Sequence, residues 1–266
     1  MNRTLVAAAL ILVAAGAAAW LWWHQQTPTQ PPAVVQPPAP VAAATSPPPA
    51  IQHPVEDAPL ASEAAAAQPV PLDHSDVAMR DALGALFSGG TLPAFFHSDR
   101  IVRNFVATVD ALPRESVSPT IIPVDPAAGG LIVDTSEAAT TIGAGNSLRY
   151  ALYVRALQAM DLKRVAGVYL QYYPLFQQAY RELGYPNGYF NDRLVSVIDL
   201  LLATPDVQAP VALEQPKVVY VFADPALQAL PAGQKILLRM GPANATIVKA
   251  RLRELRGYLV RTPPPR

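Results

Sequence analysis

Two carboxylates and six tyrosines share one short stretch of this chain. Asp192 and Asp199 stand seven residues apart in FNDRLVSVIDLLL. On a helix that spacing puts both on one face, about 10 Å apart along the axis. Inverting glycosidases separate their general acid and general base by comparable gaps. Tyr169, Tyr172, Tyr173, Tyr180, Tyr185 and Tyr189 lie just upstream. Such rings can line a ligand cleft. At helical spacing they more often fill a core, with the hydroxyl at its edge. Asp199 poses the same choice. A carboxylate on an almost wholly apolar helix must be paired, protonated or at the surface. An ion pair with Arg149, Arg155 or Arg181 is the favoured reading. The candidate ligand- or partner-binding set is therefore Tyr173, Tyr180, Arg181, Tyr185, Asn187, Tyr189, Asn191, Asp192, Arg193 and Asp199. None of them is assigned a catalytic role.

Other chemistries find little footing. The chain has no cysteine, which removes disulfides, thiolate metal sites, a cysteine nucleophile and an acylated lipoprotein anchor. Its histidines, His24, His53, His74 and His97, show no zinc-binding spacing. Asp73-His74-Ser75-Asp76 reads as a helix start, where acids and serine are favoured. No G-x-S-x-G elbow or Walker A loop is present, and Gly143-Ala144-Gly145 lacks the rest of a dinucleotide fingerprint. No metal and no cofactor is expected. Net charge is +0, so no nucleic-acid partner is expected. The end of the chain is locally basic, through Lys217, Lys235, Arg239, Lys249, Arg251, Arg253, Arg256, Arg261 and Arg266. A solvated face is the preferred reading of that run; an anionic polymer is the alternative.

The elements that must position these residues follow from periodicity. Val165, Tyr169, Tyr172, Phe176, Ala179 and Leu183 recur at steps of three and four, a helix face beginning near Asp161. Pro174 lies inside it and predicts a kink or break. Gly184 ends the helix in a left-handed conformation, and Pro186-Asn187-Gly188 is a turn. Asn191 is expected to cap the next helix, which Pro205 stops. Upstream, a helix capped by Ser75 runs to about Phe87, and a second helical region covers 91–112. Leu131–Val133 and Thr140–Ile142 read as short strands, followed by a helix over about 148–160. Lys217–Phe222 is a third strand by composition. Asp224-Pro225 starts a short helix, Ala232–Met240 forms another, and a last helix follows Gly241-Pro242. The fold class is mainly α, a helical domain with a small antiparallel β element.

Ahead of that domain, Leu5 to Trp23 is uninterruptedly apolar, long enough to span a bilayer as a single transmembrane helix. Trp20, Trp22 and Trp23 suit the interface, and Arg3 is the positive flank. The expectation is an uncleaved anchor in the inner membrane, N-terminus in the cytoplasm, with a cleaved signal peptide as the rival. Residues 24–71 read as a disordered Pro/Ala-rich linker, with a reach of about 150 Å if fully extended. The domain spans 72–260 and 261–266 is a frayed tail.

Arg149-Tyr150, AYRELGYPNGYFNDRLVSVIDLLLATP and PKVVYVFADPALQALPAGQKILLRMGPAN resemble a proteobacterial domain-of-unknown-function family of membrane-anchored envelope proteins. LDHSDVAMRDAL and FVATVDALPR are similar to it too, so the resemblance covers about Leu72 to Gly257. It implies a Gram-negative envelope setting and no particular activity. Three readings stand. The favoured one is a non-enzymatic protein docking an envelope protein or polymer from the periplasm. Next is an envelope-polymer hydrolase or lyase using Asp192 or Asp199. The third is a small-ligand binding or sensing module.

Overall fold

The structure, a computed structural model, describes residues 50–63, 70–87, 89–90, 92–137, 139–208 and 210–260. The expected membrane helix, most of the linker and the tail at 261–266 lie outside these residues. Among the described residues no helix is long and apolar enough to cross a membrane.

The chain enters through a 3-10 turn at Val55–Asp57 and another at Leu72–His74. Helix α1 follows over Asp76–Gly84 and α2 over Ile101–Ala111. Ser75 does not cap α1 as expected. Its hydroxyl donates back to the Leu72 carbonyl at 2.8 Å. Asp76 serves α2 instead, accepting the backbone N–H of Arg100 at 2.7 Å and of Ile101 at 2.9 Å. Two of the free donors at that helix start are thus satisfied from a neighbouring helix. This also explains why α2 begins at 101 rather than at 91.

The region expected as one helix over 148–160 is two: α3 at Asn146–Arg149 and α4 at Ala151–Ala159. Helix α5, Leu162–Gln171, is capped by Asp161, which accepts from Lys163 and Arg164. The break predicted from Pro174 falls at Tyr172, and α6 resumes over Tyr173–Glu182. Helix α7 covers Phe190–Leu202. It starts one residue before Asn191, so Asn191 lies inside the helix, fully buried, rather than at its cap.

A four-stranded antiparallel sheet in the order β1-β2-β3-β4 is built from Val133–Thr135, Thr140–Ile142, Ala212–Glu214 and Val221–Phe222. Its register pairs Val133 with Ile142, Thr140 with Leu213 and Leu213 with Phe222. The third strand expected at 217–222 is shorter than its composition implied: Val218 and Val219 are 88% and 67% exposed. Strand β3 was not foreseen, because three residues with one inward Leu213 carry almost no period. Helix α8, Pro225–Gln228, is capped by Asp224, whose side chain accepts from Ala226 at 2.8 Å. Helices α9, Ala232–Arg239, and α10, Pro242–Leu259, complete the fold; Gly241 between them has φ 85°.

Two apolar clusters result. The larger gathers α2, α5, α6, α7 and the end of α10 around Phe190, Val102, Val106, Val195 and Ile198. The smaller joins Leu213 and Phe222 of the sheet to Leu238 of α9. Residues 50–60, which composition places in the linker, pack on the domain as well. Val55 is buried in the large cluster, and Ala58 and Leu60 are buried too. Three apolar side chains among prolines and acids give no readable period. Hydrogen bonds from Tyr189, Asn191 and Asp192, more than 130 residues downstream, hold this segment.

Candidate functional site

The candidate residues converge on the turn between α6 and α7, and most are structurally engaged. Gly184 ends α6 with φ 117°. Gly188 sits so close to Tyr180 that an added Cβ would lie 2.7 Å from its ring. Tyr180 stacks on Tyr185 with centroids 4.6 Å apart. Gln177, which sequence reasoning missed, holds the turn together. Its Nε2 donates to the Gly188 carbonyl at 2.7 Å, and its Oε1 accepts from Tyr173 Oη and the Phe190 N–H, both at 2.9 Å. Only its place one helical turn after Tyr173 hinted at this.

Three neighbouring side chains of the turn then grip the entering segment by its backbone. The Asp192 carboxylate accepts the N–H of Gln52 at 3.0 Å and of His53 at 2.7 Å. Tyr189 Oη accepts the N–H of Val55 at 2.9 Å. Asn191 Nδ2 donates to the His53 carbonyl at 2.8 Å and to the Leu259 carbonyl at 3.2 Å, while its Oδ1 accepts from Tyr169 Oη at 3.1 Å. Together these side chains form a clamp around the chain's own residues 52–55, whose backbone bends at 52–53 and enters a 3-10 turn at Val55. Asp192→Ala is expected to speed amide hydrogen exchange at Gln52 and His53 ten- to a hundredfold. Hydrogen bonds to a charged group contribute about 1.5–3 kcal/mol. Unchanged exchange there, read by mass spectrometry, would mean that Tyr189, Asn191 and burial of Val55 hold the segment without Asp192.

A second network lies beside the clamp. Asp110 of α2 is 1% exposed. It accepts from Arg114, from Arg193 Nε at 3.1 Å and from Tyr185 Oη at 3.2 Å. Arg193 also donates to the Asp110 carbonyl at 2.8 Å. Asp199 is ion-paired, as its helix demanded, but with Arg256 of α10 rather than the arginines expected. The contact is bidentate, Nε–Oδ1 at 2.6 Å and Nη2–Oδ2 at 3.0 Å. Arg181 and Asn187 are exposed and join neither network.

Several cations of the basic run are engaged in the same way. Lys249 Nζ reaches the Thr204 carbonyl at 2.5 Å and Asp206 at 2.7 Å. Arg251 donates to the carbonyls of Leu157 and Met160. Lys235 Nζ donates to the Gln228 carbonyl at 3.2 Å, and Arg239 lies over the Phe222 ring at 5.6 Å. These cations tie α10 and α9 to loop carbonyls and acids.

Burial raises the tyrosine hydroxyls. Tyr169 is held well above its ordinary range, first by desolvation and then by Tyr173, Tyr189 and Asp192. Tyr173, Tyr180 and Tyr189 are raised too, desolvation again being the main cause. A phenol whose folded value is raised stabilises the fold fully below the unfolded value of about 10. That stability is lost as pH climbs from there through the raised folded value. Alkaline unfolding is therefore expected to coincide with the tyrosinate absorbance of these four phenols. Smooth ionisation of all tyrosines near pH 10 before unfolding would contradict it.

Among the described residues no group of three or more His, Asp or Glu is placed to hold a metal ion. The profile of a family described as proteins of unknown function, DUF3014, matches residues 101–256, more than half of the chain. The chain belongs to the DUF3014 family. No curated protein and no solved structure matches it. The DUF3014 match begins at the first residue of α2 and ends within α10, later than the start at Leu72 expected from the resemblance. It contains Tyr189, Asn191 and Asp192 of the clamp; the occupant at 52–55 and helix α1 lie upstream of it.

Proposed function

We propose that this DUF3014 protein is a non-enzymatic docking protein of the bacterial envelope. Residues 5–23 anchor it in the inner membrane, a Pro/Ala-rich tether follows, and the domain works in the periplasm. The clamp carries the reading. Four hydrogen bonds from three side chains seize main-chain groups of residues 52–55. Such contacts read main-chain groups more than side chains, as in other modes of peptide recognition. In this chain the captured peptide is the end of the tether, so the clamp fixes how the domain hangs from it.

The docking reading is preferred to the hydrolase reading because the two acids already have partners within the fold. Asp192 is engaged by two N–H donors and Asp199 by a guanidinium. The polymer-binding reading loses cations in the same way, since Lys249, Arg251 and Arg256 are held within the fold. A protein partner gains support from an exposed apolar shelf. Leu148, Leu152 and Ile132 are exposed and share an open concavity with Phe95 and Tyr153. Contiguous exposed apolar surface of this kind marks interaction sites.

The test is crosslinking and co-purification of the full chain from its native envelope, against Leu148→Glu/Leu152→Glu. One dominant protein, lost in the double variant while α-helical content is kept, is the expected result. Recovery of glycan fragments, or equal recovery of the protein from both chains, would count against the proposal.

A further inference from the structure

A cavity of about 190 Å³ lies among α1, α2, α5, α6 and the 92–97 loop. It is an apolar pocket rather than an enclosed packing void. Met79, Leu83, Phe96, Phe105, Val168 and Phe176 form much of its wall. Polar atoms at the wall are already engaged. The Tyr169 hydroxyl donates to Asn191 at 3.1 Å, and His97 Nε2 meets Asp125 at 2.9 Å. The His97 N–H donates to the Pro123 carbonyl at 2.9 Å. A trapped water needs two to four polar partners and finds none free here. Leu83, Phe96, Phe105 and Val168 are only half-buried, so the cavity is open to the surface.

Cations flank it. Arg80 donates to the Ser98 carbonyl at 3.2 Å, next to the lining residue His97. Arg164 donates to the Ala85 carbonyl at 2.7 Å, next to the lining residue Leu86. A guanidinium has five N–H donors and suits carboxylate and phosphate oxygens alike.

We propose that this cavity binds the single hydrocarbon chain of an anionic amphiphile, with its headgroup at the mouth beside Arg80 and Arg164. The assignment uses none of the clamp residues and stands or falls apart from the docking proposal. The chain has four methionines. Met79 and Met160 line the cavity, whereas Met240 does not. Methionine-methyl NMR of the full chain therefore carries its own control. Titration with dodecanoate below its micellar concentration has a parallel arm with lauroyl lysophosphatidylglycerol, and dodecyltrimethylammonium is the charge control.

Saturable shifts at Met79 and Met160, with Met240 unmoved, are expected in at least one anionic arm. The tighter arm tells a free fatty acid from a membrane lipid. The cationic chain is expected to bind at least tenfold more weakly. Leu83→Phe, which narrows the cavity, should weaken binding at least tenfold; an unchanged Met240 signal will report that the variant is folded. Arg80→Gln/Arg164→Gln should do the same for the anionic chains alone. Absence of saturable shifts in both anionic arms, equal movement of Met240, or equal affinity for the cationic chain would overturn the proposal.

Discussion

Phe190→Ala is expected to lower the stability of the domain by about 3–5 kcal/mol, the usual loss for a large aromatic removed from a core. Phe190 is 0% exposed. Its ring is stacked on Phe176 at 6.1 Å and meets Tyr180 at 5.5 Å, Phe105 at 6.3 Å and Tyr169 at 6.4 Å. Those four rings come from α2, α5 and α6, and none can follow the lost side chain without leaving the others. The cavity should therefore stay open, which puts the loss at the upper end of the range. Urea denaturation followed by circular dichroism measures it. A loss below about 1 kcal/mol would mean that the helices collapse onto the gap, contrary to the rigid cluster described here.

The second large effect is expected at Asp110. Asp110→Ala leaves Arg193 without its carboxylate, and Tyr185 without an acceptor for its hydroxyl. Removing one partner of a fully buried ion pair costs about 3–5 kcal/mol. Arg193 keeps 27% of its side chain exposed and Arg114 keeps 60%, so water recovers part of that. The expected loss is about 2–3 kcal/mol, short of the fully buried case. Asp110→Asn retains an acceptor for Tyr185 and should lose less. Because Arg193 belongs to α7 and Asp110 to α2, the variant should also loosen the contact between those helices. Hydrogen exchange will read this as faster opening in both. A stability change within 0.5 kcal/mol, the range of ordinary surface substitutions, would rule out the network as a structural joint.

Much of the helical frame was legible because its signals are local. Pro174 marked the α5–α6 break, Gly184 the end of α6, and Asp224-Pro225 the start of α8. Each acts through its own backbone geometry. The small strands were half legible. Thr140–Ile142 has β-branched residues in a row, but β3 exists only because β2 and β4 lie on either side of it. The partner of Asp199 could not be read. Its helix required a cation, and nothing in the spacing singles out Arg256, 57 residues away, over three nearer arginines. The contacts of the candidate residues were not legible either. Tyr189, Asn191 and Asp192 hold main-chain groups of residues 52–55, a stretch that composition assigns to linker. Contacts between side chains and a distant backbone leave no trace in the period of either segment.

The clamp also bears on what happens under load. A pull on the chain upstream of residue 51 reaches the domain first through the bonds from Gln52, His53 and Val55 to Asp192 and Tyr189. These contacts come ahead of every α-helix, and Val55 is buried in the large cluster beside them, so hydrogen bonds and burial must give way together. Their release frees residues 50–60 from the domain, a stretch whose contour is roughly 35 Å at full extension. A pull on the chain is therefore expected to peel this segment away before it unfolds the helices, and single-molecule force extension should show that release as a small first step.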